Sequence, residues 1–273
     1  MESNPEVIQD GCVTAIGQSP QAIPAFLIHD GGGTTFSYHC LEPLGRFTYG
    51  IFNPYFGSGE RFEGGIRGMA RLYADIIRRT CLEAEFPAKR NPDGTANVLV
   101  GGWSMGGLLS LEVAKVLTGD SDVRVVGVLM VDSMYTVDPP SVRLESWDSL
   151  DLGHSKNEFL SLQAMKEAVR VIHEWKPPVW SGQQAELRPR ISLVRALDAI
   201  PTSNSDRIHF ADVYRHDRAL GWDRYEKDMF AEVLEVRGDH FEMFNFKNIP
   251  EVSTAIQRCF DRLEVMDDYQ GFL

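Results

Sequence analysis

The stretch that most constrains the fold of this chain covers residues 97–117. Residues 98–100 form a short apolar run typical of a buried strand, and apolar residues recur at helical spacing from position 108 to 116. Between them lies Gly102-Trp103-Ser104-Met105-Gly106. A strand, Gly-x-Ser-x-Gly and a helix in this order predict a tight turn that lifts the serine hydroxyl clear of a sheet. The flanking glycines are needed because side chains would clash there. Ser104 is therefore the candidate nucleophile.

Other apolar runs predict further strands at residues 23–28, 47–52, 123–131, 191–197 and 231–236. Helical periodicity predicts helices over residues 66–77 and 252–263. Because strands alternate with helices, the pattern indicates a single α/β domain with a mostly parallel central sheet flanked by helices. The length of 273 residues suits such a domain with an insertion.

The charge and the cysteines narrow the class of protein. The formal net charge of −12 argues against nucleic acid and anionic membranes as partners. The N-terminus has no basic and apolar signal segment, and no apolar run reaches transmembrane length. The four scattered cysteines (Cys12, Cys40, Cys81 and Cys259) favour reduced thiols. We therefore expect a cytoplasmic protein.

A glycine-rich loop follows the first predicted strand, with the sequence His29-Asp30-Gly31-Gly32-Gly33. In enzymes with a serine turn of this kind, the loop after an early strand supplies an N–H group to the oxyanion. The amides of Gly31 and Met105 are the predicted donors, with the amide of Asp30 as the alternative. His29 precedes the serine and is expected to hold the loop through hydrogen bonds.

A serine nucleophile needs a base and an acid, in the chain order serine, acid, histidine. His240 follows the last predicted strand and is the candidate base. Two acids end predicted strands: Asp132 follows residues 123–131, and Asp198 follows residues 191–197. The separation in sequence between Ser104 and Asp132 is long enough for one helix and one return strand, which favours Asp132 as the acid. The residues by themselves leave Asp198 open.

Residues 136–184 interrupt the alternation of strands and helices. Prolines stand near both ends, and Phe159, Leu162, Met165, Val169 and Ile172 recur at helical spacing. We interpret this segment as an inserted helical lid. The polar segment 203–218 holds His209 and His216, and we expect these two to be surface or loop histidines.

Six sequence pieces carry a resemblance to a known family: IHDGGGTTFSYHCLEPLGR, YGIFNP, GGWSMGG, VDSMY, LGWD and RGDHFEMF. In this order they resemble the thioesterase domains that release products from fungal polyketide synthases and nonribosomal peptide synthetases. The resemblance implies an α/β-hydrolase fold with a helical lid, Asp132 as the acid, and an acyl chain delivered on the phosphopantetheine of a carrier protein. Because the chain begins with Met1, a free enzyme acting in trans or an excised domain is expected.

These expectations combine into one mechanism, and three alternative functions remain. An acyl-Ser104 intermediate would be resolved by water or by a hydroxyl of the same chain, giving an acid or a macrolactone, with no metal or redox cofactor. The first rival is an editing (type II) thioesterase, and the second is a carboxylesterase acting on small esters. The third is a binding protein of the same fold without activity, which is disfavoured because all three residue types of the triad are present.

Overall fold

The computed structural model describes residues 3–11, 22–145, 156–204 and 206–270, with side chains up to residue 265. The described strands form one seven-stranded sheet in the order β1-β3-β2-β4-β5-β6-β7. All neighbours are parallel except β1, which runs antiparallel to β3 at the edge. The strands are β1 (Glu6–Asp10), β2 (Ala25–Ile28), β3 (Phe47–Ile51), β4 (Ala96–Trp103), β5 (Val123–Val131), β6 (Arg190–Ala196) and β7 (Phe230–Val236).

Helices cover both faces of this sheet because its central strands are apolar on both sides. On β2, Phe26 and Ile28 belong to one core and Ala25 and Leu27 to the other, as the two-residue period of a strand requires. The helices are α1 (Phe36–His39), α2 (Gly65–Cys81), α3 (Met105–Val116), α4 (Lys156–Glu174), α5 (Gln183–Glu186) and α6 (Ile249–Gln270). Residues of α2 and α3 fill the first core, and residues of α1 and α6 fill the second.

The predicted α/β architecture is confirmed, with a mostly parallel sheet flanked by helices. The edge strand β1 was not predicted from the sequence. Its five residues, Glu-Val-Ile-Gln-Asp, are polar at three positions and half-buried or exposed throughout. An edge strand of this kind lacks the apolar run that marks a central strand.

The segment between β5 and β6 contains α4 and α5. Residues 146–155, within the predicted lid at 136–184, lie outside the described residues. The end of α4 is tied to α3, because the Nε1–H of buried Trp175 donates to Glu112 Oε2 at 3.0 Å. The apolar stripe predicted on this helix is half-buried at Met165, Val169 and Ile172, which line the cavities beside Ser104.

The two histidines of segment 203–218 lie where they were expected, because His216 is exposed and His209 is half-buried in a loop. Residues 211–215 of the same segment are buried, and they include the charged side chains of Asp212 and Arg215. The polarity of the segment does not indicate this burial, because each charge has a buried partner that the sequence does not reveal.

Two further properties concern the whole described chain. Each helix within residues 3–11, 22–145, 156–204 and 206–270 is too short or too polar to span a lipid bilayer. Cys81 and Cys259 are buried free thiols and Cys40 is a half-buried one, while Cys12 lies outside the described residues.

The packing of α3 onto β2 yields a test of the fold. A Cβ atom on Gly106 would lie 2.3 Å from the carbonyl oxygen of Ile28. Because the added Cβ would meet backbone carbonyl oxygens, which cannot turn aside as a side chain can, Gly106→Ala must displace α3 from the sheet. We therefore expect a loss of about 1–3 kcal/mol in the free energy of unfolding. The measurement is urea or thermal unfolding of the purified variant.

Gly57→Ala is the matched control for this substitution. Gly57 has a negative φ and no neighbouring heavy atom within 4 Å of an added Cβ. We expect a change within about 0.5 kcal/mol. Equal stability of the two variants would contradict the tight contact between α3 and β2.

Candidate active site

Ser104 stands between β4 and α3 in a strained backbone conformation. Its φ is 56° and its ψ is −120°, outside the regions that non-glycine residues favour. Such a conformation costs on the order of 1–3 kcal/mol and persists only where the surroundings impose it. Here the N–H of Ser104 donates to Val131 O at 2.8 Å, and Gly102 and Gly106 allow the turn to close against Ile28. The predicted strand, turn and helix are therefore present.

The glycine-rich loop after β2 is held by its own polar groups. Nδ1–H of His29 donates to Asp30 O at 2.6 Å, and its Nε2 accepts from the hydroxyl of Tyr73 at 2.6 Å. Burial lowers the pKa of His29 to about 4, so the ring is neutral at physiological pH. The structural role predicted for His29 is confirmed by these contacts.

The same loop leaves one amide without an acceptor among the described residues. N–H groups of Gly32 and Gly33 donate to Asp30 Oδ1 and Asp30 O at 3.0 and 3.1 Å. The N–H of Asp30 interacts with its own carboxylate. Within the described residues, the N–H of Gly31 has no acceptor. Gly31 lines one small cavity together with Ser104, Met105 and His240.

Asp132 and His240 come together at the carboxyl ends of β5 and β7. The Nδ1–H of His240 donates to Asp132 Oδ2 at 2.8 Å, and both side chains are buried. Asp132 adopts a φ of 45°, and its N–H donates to Val194 O at 2.7 Å. The carboxylate thus leaves the end of β5 in a direction that the neighbouring strand β6 helps to set.

Asp198, the other candidate acid, lies elsewhere. Its side chain is exposed, and its Oδ2 accepts from the N–H of Gly238 at 3.0 Å. It therefore supports the loop that carries His240 without contacting the imidazole. The structure brings Asp132, and not Asp198, to His240.

Arg215 completes the surroundings of Asp132 and was missed by sequence reasoning. Its Nη1 and Nη2 donate to Asp132 Oδ1 and Oδ2 at 2.6 and 2.7 Å, and its Nε donates to Asp212 Oδ1 at 2.8 Å. Burial by itself would raise the pKa of Asp132, but the hydrogen bonds from Arg215 and His240 outweigh it and hold the pKa well below its ordinary range. Asp132 is therefore ionised at any physiological pH.

Two larger cavities share Met105 as a lining residue, and Ser104 lines the first of them. The first has about 960 Å³ including its open mouth, and its walls are mainly apolar side chains such as Leu108, Met134, Val169 and Ile172. The second has about 920 Å³ and a mixed lining, in which polar groups such as Asn53, Gln163 and Lys166 accompany apolar side chains. Residues of α4 line both cavities.

Comparisons with known proteins agree with this geometry. Residues 25–248 match the family model described as "Alpha/beta hydrolase family". The chain is 32% identical to the probable thioesterase BOA10 of Botryotinia fuckeliana over 96% of its own length and 91% of that protein. It is 34% identical to the thioesterase frbD of Dothideomycetidae sp., covering 90% of this chain and 92% of that one.

The chain is also similar to part of a much larger protein and to a domain of known crystal structure. The nonribosomal peptide synthetase imqB of Aspergillus flavus contains a segment 29% identical to 96% of this chain, which makes up 8% of the synthetase. The crystal structure of the NocB thioesterase domain from the nocardicin cluster superposes with a TM-score of 0.63 at 26% identity, covering 88% of this chain and 95% of that domain. The chain therefore belongs to the alpha/beta hydrolase family and, within it, to the thioesterases of secondary-metabolite biosynthesis.

Proposed function

We propose that the protein releases a polyketide or peptidyl chain from the phosphopantetheine of a carrier protein through an acyl-Ser104 intermediate. The observation that carries the proposal is the 2.8 Å hydrogen bond between His240 and Asp132 in the cavity that Ser104 also lines. In this proposal Ser104 is the nucleophile, His240 the base and Asp132 the acid that orients the imidazole.

The chemistry begins at the thioester carbonyl. His240 takes the proton of Ser104 as its oxygen attacks, and the amides of Gly31 and Met105 donate to the oxyanion. One such donor contributes about 2.7–4 kcal/mol in a comparable site. The C–S bond then breaks, the imidazolium returns its proton to the departing thiolate, and acyl-Ser104 remains. A water or hydroxyl group, deprotonated by His240, attacks this ester; the bond to the serine oxygen then breaks, and the imidazolium returns the proton to Ser104.

The two cavities support this assignment of substrate. The acyl chain would occupy the apolar cavity, where burial of each CH₂ group contributes about 0.8 kcal/mol. The pantetheine arm carries amides and would lie in the second cavity, against hydrogen-bonding groups such as Asn53 and Gln163. The similarity to a segment of the synthetase imqB supports a carrier protein as the partner.

The first prediction that follows from this proposed function tests the nucleophile. Ser104→Ala should lower kcat by at least about 10⁴-fold, as loss of the serine does in related triads. The free energy of unfolding should change little, because the side chain faces a cavity and not the core. The measurement is turnover of an acyl thioester on a carrier protein, with circular dichroism to verify folding.

Residual activity near the wild-type level would exclude Ser104 as the nucleophile. The same assay separates the proposal from its nearest rival, because the wild-type enzyme should prefer the carrier thioester over a simple ester of the same acyl chain. A preference for the simple ester would indicate a carboxylesterase.

The second prediction compares the two acids. Asp132→Asn should lower kcat by about 10⁴-fold, because an amide favours the wrong tautomer of His240. Asp198→Asn should change kcat less than threefold or so, because an exposed side chain contributes little and Asn can still accept from Gly238. The reverse ranking would assign the acid to Asp198.

Asp132→Asn also breaks the buried ion pair with Arg215, which costs about 3–5 kcal/mol when one partner is removed. The folded fraction must therefore be measured at the assay temperature, and kcat divided by it. A loss of activity explained entirely by unfolding would contradict a role for Asp132 in the reaction.

The third prediction concerns release. An apolar wall formed by Val169 and Ile172 would exclude water from acyl-Ser104 and fold a flexible chain back toward it. A hydroxyacyl thioester should therefore give a macrolactone in part, while a chain without a hydroxyl gives only the acid. Products are identified by mass spectrometry.

Replacing Val169 and Ile172 by Asn should lower the ratio of lactone to acid severalfold. Phe159→Asn is the matched control, because Phe159 lies on the same helix but is 53% exposed. If the wild-type enzyme gives only the free acid across several chain lengths, the prediction of lactone formation is contradicted. The result would indicate a hydrolytic or editing thioesterase.

A further inference from the structure

The buried cluster of Asp132, Arg215 and Asp212 is more than a structural ion pair, because one of its carboxylates also binds His240. We propose that Arg215, held by Asp212, is a positioning residue that orients Asp132 and sets how tightly the Asp132–His240 pair binds a proton. This inference rests on the proposed function, in which His240 acts as the base.

The geometry leaves Asp132 no freedom to turn. Its Oδ1 accepts from Arg215 Nη1 and from the N–H of Ala196, at 2.6 and 2.9 Å. Its Oδ2 accepts from Arg215 Nη2 and from His240 Nδ1, at 2.7 and 2.8 Å. The planar fork of a guanidinium matches both oxygens at once, which a lysine cannot do. The orientation of the imidazole therefore depends on Arg215 through Asp132.

Arg215 is itself fixed from several sides. Asp212 Oδ1 accepts from its Nε at 2.8 Å, and the carbonyl of Ala196 accepts from its Nη1 at 2.9 Å. Asp212 is in turn anchored, because its Oδ2 accepts from the N–H of Ile200 at 2.6 Å. Asp212 and Arg215 are 5% and 8% exposed, so water screens these charges weakly. The guanidinium thus has one orientation relative to the carboxylate of Asp132.

Other charged and titratable groups lie around the cluster on every neighbouring element. On β6, Arg195 donates to the carbonyl of Arg215 and approaches Glu235 of β7 at 3.6 Å. Asp239, next to His240, accepts from the N–H groups of residues 241 and 242. Asp30 and His209 also face His240, and burial raises the pKa of Asp30 to about 6 and lowers that of His209 to about 4. Among the described residues, the hydrogen bonds to the Asp132 carboxylate come from Arg215, His240 and the Ala196 amide.

The sign of the effect follows from the charges. The positive charge of Arg215 opposes proton binding by the Asp132–His240 pair, so its removal should make that pair bind a proton more tightly. His240 acts as a base only when it is unprotonated, so the acidic limb of kcat/KM should move to higher pH. Neutralising Asp212 leaves the charge of Arg215 less compensated, and the limb should move the other way, to lower pH.

The experiment measures kcat/KM from pH 4.5 to 9 with an acyl N-acetylcysteamine thioester as the probe. We expect Arg215→Gln to move the acidic limb of kcat/KM to higher pH by about one pH unit or more, as removal of a charge in direct contact does. Its kcat should fall at least tenfold or so, since the orientation of the base is lost. Arg215→Lys should keep the limb near the wild-type position while kcat stays reduced.

Asp212→Asn keeps the hydrogen-bond acceptor but removes its charge, and we expect its acidic limb below that of the wild type. Arg237→Gln is the matched control: Arg237 is near His240 in the chain, but its side chain is 77% exposed and pairs with Glu251 in solvent. Its pH profile should not move, because exposed charges are screened. Folding of each variant is followed by circular dichroism across the same pH range.

An unchanged acidic limb in folded Arg215→Gln and Asp212→Asn would overturn the proposal and leave Arg215 a purely structural role. If Arg215→Gln does not fold, Asp212→Asn tests the proposal by itself. A shift of its acidic limb to lower pH supports the proposal, and an unchanged limb overturns it. Activity that survives Ser104→Ala would instead refute the proposed function. If Ser104→Ala is inactive but the acidic limbs of the Arg215 and Asp212 variants do not move, only the role of Arg215 is refuted.

Discussion

The contact between the first turn of α3 and the end of β2 is the constraint on which the rest of this structure depends. The backbone of Gly106 lies so close to the carbonyl of Ile28 that no side chain fits between them. This closeness forces Ser104 into its strained conformation and places its hydroxyl at the edge of the sheet. The loop after β2 is brought beside the serine by the same contact, so the candidate nucleophile and the Gly31 amide share one cavity.

The parallel sheet then brings distant parts of the chain to this edge. Asp132 follows β5 and His240 follows β7, and β6 lies between them. Two strands that are not neighbours can supply one hydrogen-bonded pair because all parallel strands end at the same edge. The loop after β6 closes the site from the side with Arg215. An acid without this guanidinium would be buried with only His240 and one amide to stabilise its charge, which is costly in a dry interior.

Several elements of the fold could be predicted from local patterns. Residues 123–131 form a strand with the predicted bounds, because an apolar run of that length between polar turns suits a central parallel strand. The turn at Ser104 could be predicted because its glycines are required by backbone geometry. The edge strand β1 could not, since its half-exposed polar residues carry no such pattern and its partner β3 is distant in sequence.

The amino-acid sequence by itself determined the α/β class, the turn at Ser104, the candidate serine and base, and a choice between two candidate acids, because each depends on short-range backbone requirements and on chain order. Only the tertiary structure decided that Asp132 and not Asp198 meets His240, and that Arg215 and Asp212 are buried. It also decided that α4 lines both an apolar cavity beside Ser104 and a second cavity with a mixed lining. The physical reason is that burial and pairing of charge are properties of the assembled sheet and its loops. A polar loop with Asp and Arg three residues apart looks the same in sequence whether it faces water or a carboxylate.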